Sequence, residues 1–154
     1  MNPRRQAVVW AYTCEVILAM LLVTLLLLTC GKKLLIDLAQ QSAIDFATLY
    51  CAVFSAGALG FLWTLYSKTD SKFYVWLDRQ RAFNVFAHAT VYTLFVEGGA
   101  TLLLIFTKYI KIEELAIFAC AIFILAFINS ITMILNVVGL MKLKLLYTRF
   151  DQDS

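Results

Sequence analysis

The chain has 154 residues, of which 62% are hydrophobic, and its mean hydropathy is +0.83. Soluble domains are about 45–50% apolar, so this excess excludes an ordinary water-soluble globule. The net charge of +3 is mild, and we expect the main surroundings to be a lipid bilayer, with no nucleic-acid partner. At this length the whole chain, residues 1–154, is predicted to form a single domain.

Four long apolar runs cover about 6–29, 43–66, 81–107 and 115–140. Each exceeds the roughly 20 residues that a helix needs to cross about 30 Å of hydrocarbon. Spanning strands would be about half as long, so the predicted fold class is all-α, a polytopic membrane protein with a bundle of four transmembrane helices. The first run is too long for the apolar core of a signal peptide, about 7–15 residues, and is predicted to be retained.

Basic residues are distributed unequally between the two predicted membrane faces. Nine lie on the side of the termini, namely Arg4, Arg5, Lys68, Lys72, Arg79, Arg81, Lys142, Lys144 and Arg149, and four lie opposite, namely Lys32, Lys33, Lys108 and Lys111. Cytoplasmic loops carry an excess of Lys and Arg, so both termini are predicted to be cytoplasmic. The expected location is a multi-pass position in a plasma or inner membrane.

The connections between the spans are too short to hold a soluble domain. Residues 30–42 are expected to form an amphipathic turn or two of helix at the surface, and residues 108–114 a tight hairpin. The longest connection, 67–81, either lies at the lipid headgroups or is a solvated loop with buried aromatic side chains. No P-loop, HExxH, GxSxG or GxGxxG pattern is present, so a non-catalytic protein is favoured, and an enzyme that acts in the membrane stays open as an alternative.

Two patterns bear on catalysis and cofactors. Arg81 and His88 have an R-x6-H spacing that is similar to the Arg/His pair of HEPN-type ribonucleases, and this resemblance covers those two residues. Those enzymes present the pair on soluble helices, whereas His88 is expected below the membrane surface. The four cysteines contain no CxxC pair, and a haem on His88, the sole histidine, would need a second ligand, so no metal or cofactor is predicted.

Several polar residues are predicted to form one intramembrane layer at similar depth, namely Glu15, Asn84, His88, Asn129, Thr132 and Asn136. Spacings of three, four and seven residues place Asn84 with His88, and Asn129 with Thr132 and Asn136, on shared helix faces. Glu15 is expected to accept a hydrogen bond from His88. The layer has two interpretations, interhelical hydrogen bonds that hold the helices together, or a proton relay, ion path or ligand site.

Glu97 follows His88 by nine residues, which is about 180° round an ideal helix. The third span is therefore predicted to need polar neighbours on opposite sides, and to be central in the bundle or to bridge to another chain. Gly98 and Gly99 would permit close backbone approach beside Glu97. Asp45, at the expected outer end of the second span, is a further candidate, with Glu97, for an ion pathway or a partner contact.

The second span carries small residues, Ala52, Ala56 and Gly60, at four-residue spacing. This small-xxx-small pattern lets helices pack closely, within one chain or between copies. Two functions are expected. The first is a non-catalytic subunit, or an accessory or assembly component, of a membrane complex, working as a homo- or hetero-oligomer. The alternative is a homo-oligomeric channel, pore or small transporter that uses Glu15, His88 and Glu97.

Overall fold

The computed structural model describes the backbone of residues 3–152 and the side chains of residues 9–150. Within these limits the chain is helical with short connections and has no strand. The helices are α1 (Pro3–Cys30), α2 (Lys32–Asp45), α3 (Ala52–Ser67), α4 (Lys72–Arg79), α5 (Phe83–Tyr109) and α6 (Glu113–Gln152). Four helical stretches of the described chain are long and apolar enough to cross a membrane, which confirms that part of the prediction.

The second spanning stretch begins earlier than predicted, because α2 runs into α3 through a π-helical turn, Phe46–Cys51. The resulting rod, Lys32–Ser67, has 36 residues. Gly31, with φ of +80°, makes the turn that follows α1, a conformation that glycine adopts readily. Residues 30–42 form more than a turn or two because Leu35, Ile36, Ala39 and Ala43 make an apolar stripe that packs against α5 and α6.

Two helical stretches, α6 and the Lys32–Ser67 rod, are longer than a bilayer is thick. The 40 residues of α6 span about 60 Å, and the Lys32–Ser67 rod about 54 Å. The hydrocarbon layer measures about 30 Å, so both rods extend beyond it. The helical extension of α6 to Gln152 continues well past the predicted span of 115–140.

At one end of the molecule, the turn after α1 meets the turn between α5 and α6; we call this the hairpin end. Lys32 Nζ lies 2.7 Å from Glu113 Oε2 there, and both side chains are exposed. Glu113 and Glu114 occupy the first turn of α6, where negative charge interacts favourably with the helix dipole. The Lys32–Ser67 rod and α6 therefore start together and run in the same direction.

Small residues form the core beside the π-turn. The buried cluster consists of Ala43, Ala47 and Cys51 from the rod, Ala100 and Leu104 from α5, and Ala119 and Ala126 from α6. Lipid tails are as apolar as these side chains, so close van der Waals packing drives helix association, and small side chains permit it. Phe46 stacks on Phe123, with ring centroids 4.7 Å apart, at the edge of this cluster.

The opposite end, which we call the α4 end, is closed by the short helix α4. Phe73, Tyr74 and Leu77 are buried there against Leu65 and Leu140. Burial raises the pKa of the Tyr74 hydroxyl above its ordinary value. Within residues 67–81 the chain thus forms a short helix whose aromatic side chains pack against the spanning helices, and its position relative to the lipid headgroups stays a prediction.

Candidate functional site

A single face of α5 is buried, and Glu97 lies in the middle of it. Thr90, Thr93, Glu97 and Ala100 follow one another at three- or four-residue spacing and are all buried. The hydroxyls of Thr90 and Thr93 donate to carbonyls of their own helix, over 2.8 and 3.0 Å, and so need no neighbour. The Glu97 side chain is 0% exposed and depends on other helices for its hydrogen bonds.

Ser130 of α6 provides one hydrogen bond to Glu97. The Ser130 hydroxyl lies 2.5 Å from Glu97 Oε1 and 2.9 Å from the carbonyl oxygen of Ala126. Its single proton serves two acceptors. The other carboxyl oxygen, Glu97 Oε2, is buried and has no hydrogen-bond partner among the described residues. Burying a polar atom without a partner is costly, so this oxygen marks a place where a proton, cation or polar ligand would be stabilised.

The π-turn brings two more polar groups to the same place. The Cys51 thiol lies near the Glu97 carboxyl, and Tyr50 lies near Ser130. The Tyr50 hydroxyl is buried beside Ser130, without a well-aligned hydrogen bond to any described residue. π-helical turns occur frequently at functional sites, because the extra residue per turn changes which side chains face a neighbour. Glu97, Ser130, Tyr50 and Cys51 therefore form a polar centre at the junction of three helices.

The second buried carboxyl, Glu15 of α1, pairs with Asn129 of α6. Asn129 Nδ2 donates to Glu15 Oε2 over 3.1 Å, and both residues are buried. The Asn129 carbonyl, Oδ1, is buried and without a partner among the described residues. Because Asn129 and Ser130 are adjacent, α6 contacts Glu15 on one side and Glu97 on another. The two carboxyl sites are thus joined through consecutive residues.

His88 does not belong to this arrangement. Its side chain and that of Asn84 are exposed, and no hydrogen bond between His88 and Glu15 is present among the described residues. The residues of the expected layer therefore do not form one network. Glu15 accepts its hydrogen bond from Asn129 and not from His88. The physical reason is the single buried face of α5. His88 lies on the opposite face from Glu97, as the nine-residue separation requires.

The other predicted polar residues also lie apart from the two carboxyls. Thr132 is partly exposed, and its hydroxyl bonds to the Ile128 carbonyl over 3.3 Å. Asn136 is partly exposed, one turn further along α6. Asp45 is exposed at the last residue of α2, within the continuous rod and not at a free helix end as expected.

The small residues singled out from the sequence do not mediate packing within this chain. Ala52, Ala56 and Gly60 are exposed on α3. A Cβ atom added to Gly60, Gly98 or Gly99 would meet no atom within 4 Å, so the expected close backbone approach beside Glu97 is not made by this chain. The small residues that pack inside are Ala39, Ala43, Ala47 and Cys51, which repeat every four residues and are all buried.

Sequence reasoning thus missed the contribution of the π-turn. The repeat of Ala39, Ala43, Ala47 and Cys51 is visible in the sequence and would have indicated a packing face that begins before the predicted second span. Nothing in the sequence indicates that Tyr50 faces Ser130. Among the described residues, no group of three His, Cys, Asp or Glu side chains lies close enough to hold a metal ion.

Comparison with known proteins does not indicate a function, so the function is inferred from the geometry of the site. The chain matches no protein family, and neither a curated protein nor a solved structure shows significant similarity to it.

Proposed function

We propose that this chain is a non-catalytic subunit, or an accessory or assembly component, of a membrane complex. The observation that supports the proposal best is the pair of surfaces that the chain leaves uncovered. His88 and Asn84 are polar and exposed on a helix long and apolar enough to span a membrane, and Ala52, Ala56 and Gly60 form an exposed small-residue face on α3. Polar groups at membrane depth usually face protein or water, and small-residue faces accept another helix.

The proposal includes an arrangement in the membrane. The four spanning stretches form a bundle in a plasma or inner membrane, with the α4 end and both termini on the cytoplasmic side. Support comes from the nine basic residues on that side against four at the hairpin end. The side chains of Arg4 and Arg5, which count among the nine, lie outside the described residues.

The test is the mass of the protein extracted with a gentle detergent and transferred to nanodiscs. We expect a species larger than one chain, either with several copies or with a co-purified membrane protein. Gly60→Leu should reduce this species to a single chain, because leucine blocks close helix approach. Gly139→Leu is the matched control, since Gly139 is also exposed, with open space round it, but lies on α6. A single chain with no companion protein in lipid contradicts the proposal.

A second candidate function, a channel or small transporter, is favoured by the two linked carboxyls. Glu15 and Glu97 are bridged through Asn129 and Ser130, and Glu97 Oε2 and Asn129 Oδ1 are unpartnered among the described residues. Intramembrane carboxyl groups of this kind occur in ion and proton pathways. His88, being exposed, could join such a pathway only at an interface between copies.

This candidate is tested by flux into liposomes that contain the purified chain. Transport should fall strongly in Glu97→Gln, which keeps an acceptor for Ser130 and removes the ionisable group. His88→Ala tests the interface between copies separately. The absence of flux under every ion gradient and pH leaves the subunit role alone.

A further inference from the structure

An apolar groove runs between α3 and α6 on the far side of Ser130 from the hairpin end. The Lys32–Ser67 rod and α6 start together but separate after the π-turn, and a cavity of about 380 Å³ opens between α3 and α6. Its walls are apolar side chains, among them Phe54 and Phe61 of α3 and Ile134 and Val137 of α6. Ser130 is the polar residue of this lining and lies at the end of the cavity nearest the hairpin end. This volume lies within the range of about 300–1,000 Å³ that small-molecule sites have.

The groove continues toward the α4 end and becomes basic there. A second cavity of about 290 Å³ shares Phe61 and Val137 with the first, so the two adjoin. Lys68, at the end of α3, and Lys144 of α6 line this second cavity, together with Thr64. Both lysines are exposed, and neither forms an ion pair with a described residue.

We propose that this groove binds an anionic phospholipid, with an acyl chain between α3 and α6 and the phosphate between Lys68 and Lys144. Length supports the assignment. Ser130 and Lys144 are separated by 14 residues of continuous helix, or about 21 Å. One leaflet with its headgroup region is about 20–22 Å thick, so the groove has the length of a lipid. Basic pockets between transmembrane helices are known binding sites for anionic headgroups.

Charge distinguishes a lipid from a further transmembrane helix. Two lysines at the mouth of the groove complement a phosphate, whereas an apolar helix would leave them without a counter-charge. A phospholipid is also abundant at this site, because the groove lies on the surface of two helices that are long and apolar enough to span a membrane.

The experiment compares lipids on the delipidated full chain in detergent, by native mass spectrometry and by thermal unfolding. The probes are phosphatidylglycerol and phosphatidylcholine with the same acyl chains, and inorganic phosphate. We expect phosphatidylglycerol to remain bound and to raise the unfolding temperature, phosphatidylcholine to bind at least fivefold more weakly, and inorganic phosphate to have no effect. Each of Lys68→Gln and Lys144→Gln should weaken phosphatidylglycerol binding about fivefold, the effect of one basic residue near an anionic surface.

Two further variants separate the headgroup from the acyl chain. Gly57→Leu fills the apolar cavity without a clash, because nothing lies within 4 Å of an added Cβ, and should abolish binding of both lipids. Lys108→Gln with Lys111→Gln removes the same charge at the hairpin end and should change nothing. Equal binding of the two lipids, binding of free phosphate alone, unchanged affinity in the double variant Lys68→Gln with Lys144→Gln, or a second protein chain seated in the groove would each overturn the proposal.

Discussion

Asn129 and Ser130 are neighbours in sequence, yet each binds a different carboxyl group on a different helix. Asn129 donates to Glu15 of α1 over 3.1 Å, and Ser130 lies 2.5 Å from Glu97 of α5. Consecutive residues point about 100° apart on a helix, so α6 reaches two neighbours at one level. Helices α1 and α5 are thereby tied to the same turn of α6.

Loss of the Ser130 hydroxyl should destabilise the protein. In Ser130→Ala both oxygens of the buried Glu97 carboxyl lack a donor from α6, and we expect a loss of about 1–2 kcal/mol in the free energy of unfolding. Thr132→Ala is the control on the same helix, because the Thr132 hydroxyl bonds to its own helix and is partly exposed. Unfolding in mixed detergent micelles, followed by circular dichroism, measures the difference. Equal stability of the two variants would show that Glu97 does not depend on Ser130.

Lysine substitutions on opposite faces of α5 should have opposite outcomes. Glu97→Lys replaces the carboxyl group with an ammonium group in a site that is 0% exposed, and removes the carboxyl that could have paired with it. We expect the free energy of unfolding to fall by about 3 kcal/mol, or the chain not to fold. His88→Lys changes an exposed position near the beginning of α5 and should be tolerated, because a lysine there reaches the membrane surface. The yield of folded protein after membrane extraction compares them. If His88→Lys lowered the yield of the single chain as much as Glu97→Lys, the difference in burial between the two faces of α5 would be contradicted.

Small residues on α2 and α3 should respond differently to enlargement. Ala43→Leu inserts three carbon atoms into a site with 0% exposure and should destabilise the single chain by about 1–3 kcal/mol. Ala56→Leu makes the same change on the exposed face of α3 and should leave the stability of the single chain unchanged. Thermal unfolding of both variants in detergent provides the comparison. A destabilised Ala56→Leu chain that is monomeric would contradict the observed packing.

The proposed orientation can be checked through cysteine accessibility. Cys30 is exposed at the hairpin end, whereas Cys51 is buried. A membrane-impermeant maleimide added to intact cells should label Cys30, and Cys30→Ser should remove that signal. Ser71→Cys, in the Cys30→Ser background, places an exposed thiol at the α4 end, which should react only after the membrane is opened. The reverse pattern of labelling would place both termini outside the cytoplasm.

The positions of the spanning helices follow from the sequence because an apolar run of more than 20 residues has few alternatives to a helix. The opposition of Glu97 and His88 also follows, because nine residues correspond to a half-turn in any α-helix. The extension of the second span backwards through α2 could have been recognised from the four-residue repeat of Ala39, Ala43, Ala47 and Cys51.

The buried face of each helix was decided by the tertiary structure. In a soluble protein the apolar stripe of a helix marks the core, but lipid and core are both apolar here, so the pattern of apolar residues is nearly the same on every side. The sequence alone determined four helices long enough to span and two polar groups on opposite sides of α5. Only the packing decided that Glu97 lies inside with Ser130, that Asn129 takes the place expected for His88, and that the π-turn brings Tyr50 to the same centre. Those contacts depend on a local change in helical pitch and on close approach between helices, neither of which residue spacing specifies.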